Sequence, residues 1–411
     1  MQKPLNILIS CGGTGGHVFP GIATGQILQQ RGHTPTIWLS GRRSVESETI
    51  HGWNGPVFRS GARPLGIANL PAFLATLWRV WREMRREHPD VVLAMGCYSS
   101  VPPVLVARML GIPVVLHEAN AVPGKAVALL SRFARVTALS FAASARHLPH
   151  GRRTVCTGMP MRTTLAGQPP LDGFAPANGG PGGPALPTTA DVDLGLPSAR
   201  APGPTPLQRE LTVGEERTGG RRASAAGSET KDSFTVLITG GSLGAHAVNE
   251  LACEALIRLQ RRGIGVRVIH QCGPADEATL RDRYAAAAMD AQVYAFLREM
   301  GRAYASADLA ICRAGAATCF ELCLCGVPAI LIPLPSAVRD HQRLNAEAMV
   351  QSGGALLRLQ ANLTPDNLAA DLEAIRTDPS RRAAMRQALL QLAGPDAAEK
   401  LADLVVKASE Q

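Results

Sequence analysis

The chain has 411 residues, 46% of them hydrophobic, and carries a formal charge of +9. That length exceeds what one hydrophobic core supports, so two domains of ordinary size are expected. No apolar run approaches the roughly 20 residues of a membrane-spanning helix, and no signal-type apolar segment with a cleavage site opens the chain, so export is not expected.

Nine cysteines in such a chain read as reduced thiols packed as small hydrophobes. Cys319, Cys323 and Cys325 cluster, but their spacing lacks the paired pattern of a zinc site, and no metal site is read. The positive charge calls for an anionic partner or surface. Aromatic residues make up only 4%, and no RNP-type, zinc-finger or basic-helix motif is present, which argues against nucleic acid. A phosphorylated small molecule and an anionic membrane surface remain.

The first element is the apolar run Ile7-Leu8-Ile9-Ser10, which breaks into Cys11-Gly12-Gly13-Thr14-Gly15-Gly16-His17 ahead of a helix expected from Ile22 to Arg31. The same pattern returns as Val236-Leu237-Ile238-Thr239, then Gly240-Gly241-Ser242-Leu243-Gly244-Ala245-His246, with a helix expected from Val248 to Arg262. Glycines let the backbone turn tightly against a ligand, and the following helix presents free N–H groups to an anion. Neither loop has the G-x-G-x-x-G or G-x-x-x-x-G-K-[ST] spacing. Their repetition in register predicts two Rossmann-like domains, each with a parallel sheet, facing a shared cleft.

Between the two loops, strands are expected at Thr36 to Leu39, Asp90 to Ala94 and Ile112 to Leu116, with weaker signals at Val136 to Ala138 and Thr154 to Cys156. Short, nearly all-apolar strands alternating with helices indicate a sheet covered on both faces. From Gln168 to Asp232 the composition changes to ten prolines and eleven glycines in 65 residues, with Phe174 the only aromatic. Such a stretch reads as a disordered linker insertion and marks the domain boundary. The α/β alternation restarts at Ser233, with strands expected at Val266 to Ile269, Ala291 to Tyr294, Leu309 to Ile311 and Ala329 to Ile332. From about Thr364 the pattern is helical, with breaks at Asp378-Pro379 and Gly394-Pro395.

Several segments can carry chemistry. His17 closes the first loop, and a histidine there either accepts a proton near neutral pH or only hydrogen-bonds the loop backbone. His117-Glu118-Ala119-Asn120 follows a strand and lies at a carboxyl end, where open α/β sheets bind ligands; an ordinary polar loop is the alternative. After Leu309 to Ile311 come Arg313 to Glu321, small residues opening a helix whose dipole favours an anion. Glu321 in its first turns can accept hydrogen bonds from a ribose diol. Asp340-His341-Gln342-Arg343-Leu344-Asn345-Ala346 offers a polar helix start suited to sugar hydroxyls.

With these residues in view, the chain resembles the MurG family of N-acetylglucosaminyltransferases of bacterial cell-wall synthesis. The resemblance rests on GGTGGHVFPGIA (Gly12 to Ala23), PDVVLAMGCYSS (Pro89 to Ser100), GIPVVLHEAN (Gly111 to Asn120), TGMPMR (Thr157 to Arg162), GGSLGA (Gly240 to Ala245), CRAGAAT with the following Glu321, and GVPAILIPLP. Their order is that of the family, and they cover nearly everything outside Gln168 to Asp232. The resemblance implies an α/β GT-B fold, two Rossmann-like domains around a central cleft. Residues 1–165 would be the acceptor and membrane-associated domain, 168–232 the linker insertion, 233–390 the UDP-GlcNAc domain and 391–411 a C-terminal helix.

Carried onto this sequence, Ser242, its neighbouring loop amides and Arg162 would face the donor diphosphate. Leu297 would hold the uracil through its backbone, Glu321 the ribose hydroxyls, and Ala316, Ala317 and Gln342 the sugar. Thr14, Gly15, Gly16 and Asn120 would line the donor–acceptor junction. Inverting transfer needs one base, for which His17 is the first choice and Glu118 the second. No cofactor or metal is expected, since a glycine loop at a helix N-terminus, with an arginine, can stabilise the departing diphosphate. Lys125 and Arg135 are candidates for the acceptor pyrophosphate.

The implied partners are UDP-N-acetylglucosamine, a lipid-linked muramyl-pentapeptide, an anionic membrane surface and a cell-wall synthesis complex. The implied location is peripheral, on the cytoplasmic face of the inner membrane. Leu70, Phe73, Leu74, Leu77, Trp78 and Trp81 recur at helical spacing among Arg79, Arg82, Arg85 and Arg86, which suits an interfacial helix or else a core face with solvated arginines. Two positions depart from the family: Leu243 stands where glutamine is usual, and Cys97 where glycine is usual. The competing readings are a same-fold transferase with another lipid acceptor and a non-catalytic nucleotide-sugar-binding protein. His17, Glu118, Arg162 and Glu321 together favour the enzyme.

Overall fold

The computed structural model describes residues 3–12, 15–41, 50, 52–62, 70–161, 165–174, 234–241 and 244–410. Two parallel sheets organise them. The N-terminal sheet contains β1 (Asn6–Ser10), β2 (Thr34–Leu39), β3 (Val57–Arg59), β4 (Val91–Ala94), β5 (Val114–Glu118), β6 (Val136–Leu139) and β7 (Thr154–Cys156), in the order β3-β2-β1-β4-β5-β6-β7. The C-terminal sheet contains β8 (Thr235–Thr239), β9 (Arg267–Gln271), β10 (Ala291–Tyr294), β11 (Leu309–Cys312), β12 (Ala329–Leu331) and β13 (Ala355–Leu357), in the order β10-β9-β8-β11-β12-β13. Both sheets are doubly wound, with strand order reversing between β1 and β4 and between β8 and β11. The carboxyl ends at such a reversal leave a crevice for a ligand.

Alternation along each strand explains the layers. Ile7 and Ile9 of β1 and Leu93 of β4 face a core shared with α1 (Gly15–Gln30). Leu8, Val92 and Ala94 face the opposite side, under α2 (Leu70–Glu87), α3 (Val101–Leu110) and α4 (Lys125–Leu130). In the second sheet Val236 and Ile238 pack with α5 (His246–Arg261), against α6 (Glu277–Ala286) and α10 (Pro365–Arg376). Leu237, Ala310 and Cys312 face α7 (Met300–Ser306), α8 (Ala316–Cys325), α9 (His341–Gln351) and α11 (Pro379–Leu392). Two-sided burial is why these strands read as continuous apolar runs.

Two expected boundaries change. The linker was expected to begin at Gln168, but residues 168–174 dock onto the C-terminal core. Leu171 and Phe174 are buried there. The Leu171 amide donates to Ser306 Oγ at 2.8 Å, and Arg302 donates to the Pro170 carbonyl at 2.9 Å. The rest of that expected linker, residues 175–232, lies outside the described residues. The C-terminal helix, α12 (Ala397–Ser409), starts later than residue 391 and returns to the first sheet, burying Leu401, Ala402, Val405 and Ala408 in the core that holds Leu93 of β4 and Val115 of β5. Arg31 Nη1 meets Asp403 Oδ1 at 2.5 Å across that contact.

The first helix also starts earlier than expected, so Gly15, Gly16 and His17 form its first turn. β5 runs two residues further, to Glu118. β3 and β13, three-residue strands at opposite sheet edges, have no counterpart in the sequence reading. Among the described residues, no helix is long and apolar enough to cross a membrane.

The α12 contact generates a test. Leu401 is fully buried, so Leu401→Ala should lower unfolding stability by about 2–5 kcal/mol. Urea unfolding followed by circular dichroism measures it; a change below about 0.5 kcal/mol, ordinary for a surface site, would show that α12 does not support the N-terminal core.

Candidate functional site

The carboxyl ends of β1, β4 and β5 bring together three polar groups that sequence places a hundred residues apart. On the first turn of α1, His17 Nδ1 lies 2.8 Å from the Met95 carbonyl oxygen. A carbonyl only accepts, so Nδ1 is the protonated nitrogen and the neutral ring keeps its lone pair on Nε2. Burial lowers the His17 pKa from its usual value, partly offset by the Met95 bond. Gly96 follows with φ 76°, and a Cβ there would stand 2.6 Å from the His117 carbonyl oxygen, so only glycine lets β4 turn this close to β5.

His117 is fully buried, with Nε2 3.1 Å from Ser140 Oγ. Burial, then the neighbouring His17, pushes its pKa to about 3, so it stays neutral. It is a structural link between β5 and β6.

Glu118 is 2% exposed, and both its oxygens are occupied. Oε1 accepts from the Asn120 backbone N–H at 2.8 Å and from Asn120 Nδ2 at 3.1 Å; Oε2 accepts from the Gly124 N–H at 3.0 Å. Burial raises its pKa from 4.5 to about 7, and those donors pull the other way. The carboxyl therefore shapes the loop 119–124 and fixes the Asn120 amide.

That loop meets the C-terminal unit. Ala119, Ala121, Phe141 and Met159 form one apolar cluster with Ala316 and Phe320 of α8. The Phe141 and Phe320 rings lie 4.8 Å apart. Asn345 of α9 crosses the same junction: its Oδ1 accepts from the Ala121 N–H at 2.8 Å, and its Nδ2 donates to Asn120 Oδ1 at 3.2 Å. Arg339 Nη1 donates to the Pro123 carbonyl at 3.1 Å.

On the C-terminal side the second glycine loop turns sharply. Gly244 has φ 75°, and a Cβ there would come within 1.8 Å of the Cys272 carbonyl oxygen. This close approach lets α5 begin directly above β8. Ala316 and Ala317 open α8, and Glu321 lies further along it, with Oε2 accepting from Tyr304 OH at 2.8 Å. Leu297 is buried beyond β10. Gln342, on the first turn of α9, accepts the Leu334 N–H on Oε1 at 2.9 Å, leaving its NH₂ for a ligand oxygen. Arg313 donates to the carbonyls of Ile332 (3.1 Å) and Pro333 (3.0 Å) and so secures the segment before Leu334.

Gly15, Gly16, His17, Glu118 and Asn120 thus gather on the N-terminal side of the cleft, and Ala316, Ala317 and Gln342 on elements opening toward it. Thr14, Arg162, Ser242 and Leu243 lie outside the described residues. Arg135 donates Nη1 to the Ala408 carbonyl at the end of α12 at 2.6 Å. Lys125 is exposed at the start of α4. Cys97 is buried against Ser99 and Ser100, with Sγ–Oγ distances of 3.0 and 3.2 Å. Sequence reasoning treated Asn345 only as part of a sugar-facing segment; its role across the junction had no local signal.

Comparison with known proteins places this geometry. Residues 7–139 match the glycosyltransferase family 28 N-terminal domain, and residues 235–401 match the family 28 C-terminal domain. Fold and site therefore define a two-domain GT-B glycosyltransferase. A relative from Xanthomonas axonopodis pv. citri is 34% identical over 408 residues, covering 98% of this chain and 82% of its own. One from Hahella chejuensis is also 34% identical, covering 96% and 95%. Both bear the name UDP-N-acetylglucosamine–N-acetylmuramyl-(pentapeptide) pyrophosphoryl-undecaprenol N-acetylglucosamine transferase. The crystal structure of Acinetobacter baumannii MurG superposes with a TM-score of 0.70 at 29% identity, covering 98% of this chain and all of that one. The chain belongs to the MurG family.

The Glu118 carboxyl predicts a pH effect on stability. Its folded-state pKa stands above that of an unfolded chain, so from about pH 4.5 to about 7 the native state holds a proton that the unfolded state releases. Its contribution is present at low pH and is lost as pH rises through that window. Urea unfolding across the window should show this decline in wild type and a flatter profile in Glu118→Gln; matching profiles would contradict the assignment.

Proposed function

We infer that this chain transfers N-acetylglucosamine from UDP-N-acetylglucosamine to the muramyl 4-hydroxyl of undecaprenyl-pyrophosphoryl-MurNAc-pentapeptide, converting lipid I to lipid II in peptidoglycan synthesis. Beyond kinship, one observation carries the reading: the His17 ring is fixed through Nδ1 on the Met95 carbonyl, just past the carboxyl end of β4, which leaves the lone pair on Nε2.

In the mechanism we propose, His17 Nε2 takes the proton of the acceptor hydroxyl as that oxygen attacks C1 of the donor sugar. The bond from C1 to the UDP oxygen breaks, and UDP leaves with the bonding electrons. Attack from the face opposite UDP inverts C1. The negative charge on UDP is met at the N-terminus of α5, with Ser242 and Arg162 as further contacts. Gln342 offers its NH₂ to the donor sugar, and Glu321 a carboxylate to the ribose. Glu118, whose oxygens already accept three loop N–H bonds, is assigned to holding Asn120 rather than to moving the proton. The chemistry calls for no metal.

The test is sugar transfer by purified protein to a short-prenyl pyrophosphoryl-muramyl-pentapeptide, with and without EDTA. Transfer should survive EDTA, and His17→Ala should lower kcat by about 10²–10⁴-fold. UDP-sugar binding without transfer would favour a same-fold enzyme with another acceptor. Near-full activity in His17→Ala, with severe loss in Glu118→Ala, would reverse their roles.

We further propose peripheral attachment to an anionic membrane, the inner membrane's cytoplasmic face, through α2. Its sequence stripe divides in two. Val80 and Met84 are buried, and Phe73 and Leu77 pack beside them. Leu70, Leu74, Trp78 and Trp81 are exposed, by 55%, 57%, 59% and 39%. Arg82 lies over the Trp78 ring at 5.0 Å and Arg85 over Trp81 at 5.5 Å. Exposed tryptophans interleaved with arginines suit a headgroup layer. A cell-wall synthesis complex on that surface belongs to the same reading. Binding to phosphatidylglycerol-containing vesicles should weaken as salt rises and in Leu74→Ser/Trp78→Ser; no binding, or binding indifferent to both, would count against it.

A further inference from the structure

We propose that Gln271 is a positioning residue for nucleotide choice, holding the loop that meets the base in register with the loop that meets the diphosphate. The inference rests on the donor assignment above, in which the Leu297 backbone faces uracil and the second glycine loop faces the diphosphate.

Gln271 ends β9, the strand between β8 and β10, and is 4% exposed. In the parallel register it lies opposite Thr239 on one side and Tyr294 on the other. Alternation puts Thr239 and Gln271 on the face of Leu237 and Ile269, which packs under α7 and α8. Three hydrogen bonds then run across the strand ends. Gln271 Nε2 donates to the Ala295 carbonyl at 3.2 Å, and its Oε1 accepts from the Thr239 hydroxyl at 2.7 Å. The Thr239 oxygen in turn accepts the Gly241 N–H at 3.3 Å. A carbonyl only accepts, so the amide has one possible orientation, and that orientation makes the hydroxyl the donor.

These bonds join the two loops that a nucleotide would touch. Ala295 is the first residue past β10 and stands two before Leu297. Gly241, with φ 91°, opens the turn of the second glycine loop, and the Gly244 N–H closes it on the Gly241 carbonyl at 2.9 Å. The same loop presses on the residue after Gln271, since Gly244 leaves no room for a Cβ beside the Cys272 carbonyl. Cys272 is itself tied to β10, its N–H donating to the Tyr294 carbonyl at 2.9 Å. Both loops are therefore braced on the end of β9, and the Gln271 amide links them.

Uracil presents an N3–H donor beside carbonyl acceptors, whereas cytosine presents a bare N3 acceptor beside an amino donor. A main-chain N–H and C=O reject the wrong base because it leaves buried groups unpaired. That rejection requires the backbone carrying them to stay fixed. Gln271 fixes it from behind, through Ala295.

The experiment uses the full chain, calorimetry with UDP, CDP and uridine, and two variants. Gln271→Met keeps the length of the side chain and removes both polar ends. UDP affinity should fall about tenfold, and the preference for UDP over CDP should shrink by a similar factor. General damage to the domain would weaken both nucleotides alike and leave their ratio unchanged. Thr239→Val keeps its shape and releases Gln271 Oε1 and the Gly241 N–H. It should weaken UDP by about three- to tenfold and leave uridine, which lacks the diphosphate, within about twofold.

An unchanged UDP-to-CDP ratio in Gln271→Met, or uridine weakened as much as UDP in Thr239→Val, overturns the proposal. If Gln271→Met does not fold, the Thr239→Val comparison decides alone. Amide exchange in Gln271→Met gives a readout independent of nucleotide. Protection should drop at Gly241 and Gly244 and persist through β8 and β11; retained protection at both glycines overturns the link whichever nucleotide the chain takes. Wild type without a preference for UDP, with protection lost in the variant, would uphold the link and count against the donor assignment alone.

Discussion

Everything at the cleft depends on one carboxyl group, Glu118, placed by β5 at the carboxyl edge of the sheet and surrounded by its own loop. A carboxyl buried this deeply is costly unless hydrogen bonds meet it. Here two backbone N–H groups and one amide do so, all within six residues of the chain. The loop folds around the carboxyl group instead of hiding an apolar side chain. That exchange turns a strand end into a rigid platform, and a platform is what a second domain can dock against. His17, fixed by the next strand over, acquires its orientation from the same sheet edge. Neither residue is mobile enough to be a generic surface acid or base.

Much of this arrangement was legible in the sequence because it is local. The runs at Ile7 and Val236 end in glycines at both strand-order reversals, and the repetition alone specifies two domains. Gly244 could be read as a turn residue, although the Cys272 carbonyl that excludes a Cβ lies 28 positions away. The edge strands β3 and β13 were not legible: three residues give no period, and their pairing comes from neighbours far along the chain. The start of α1 was placed late because Gly15 and Gly16 argue against helix by propensity; they are tolerated in its first turn at the mouth of the crevice. Residues 168–174 misled for a different reason. Their composition is that of a linker, yet two apolar side chains, Leu171 and Phe174, are enough to dock them.

Site residues divide along the same line. Glu118 and Asn120 were visible as polar residues after an apolar strand, but their mutual bond was not, and it changes what Glu118 can do. Its oxygens already accept three donors from the loop, and the neighbouring His117 is neutral and sealed. The Trp and Arg pattern of α2 shows the opposite case. Periodicity found the helix but merged two faces, and only packing separates Phe73 and Leu77, which support the core, from Leu74 and Trp78, which do not.

The junction between the two units is small and mixed in character, and this bears on how such an enzyme can cycle. Its apolar part is mostly alanine and methionine around one phenyl pair, which offers modest burial. Its polar part is an amide and a guanidinium reaching backbone carbonyls, N–H groups and another amide. Bonds of that kind exchange with water at little net cost, near 1 kcal/mol each, whereas a large apolar interface would hold the domains shut. Separation would expose few apolar groups, and closure would restore a specific orientation because amides pair in only one way. A transferase must admit a nucleotide sugar, exclude water during the reaction and then release UDP. An interface weak in energy but strict in geometry meets those demands better than a tight one.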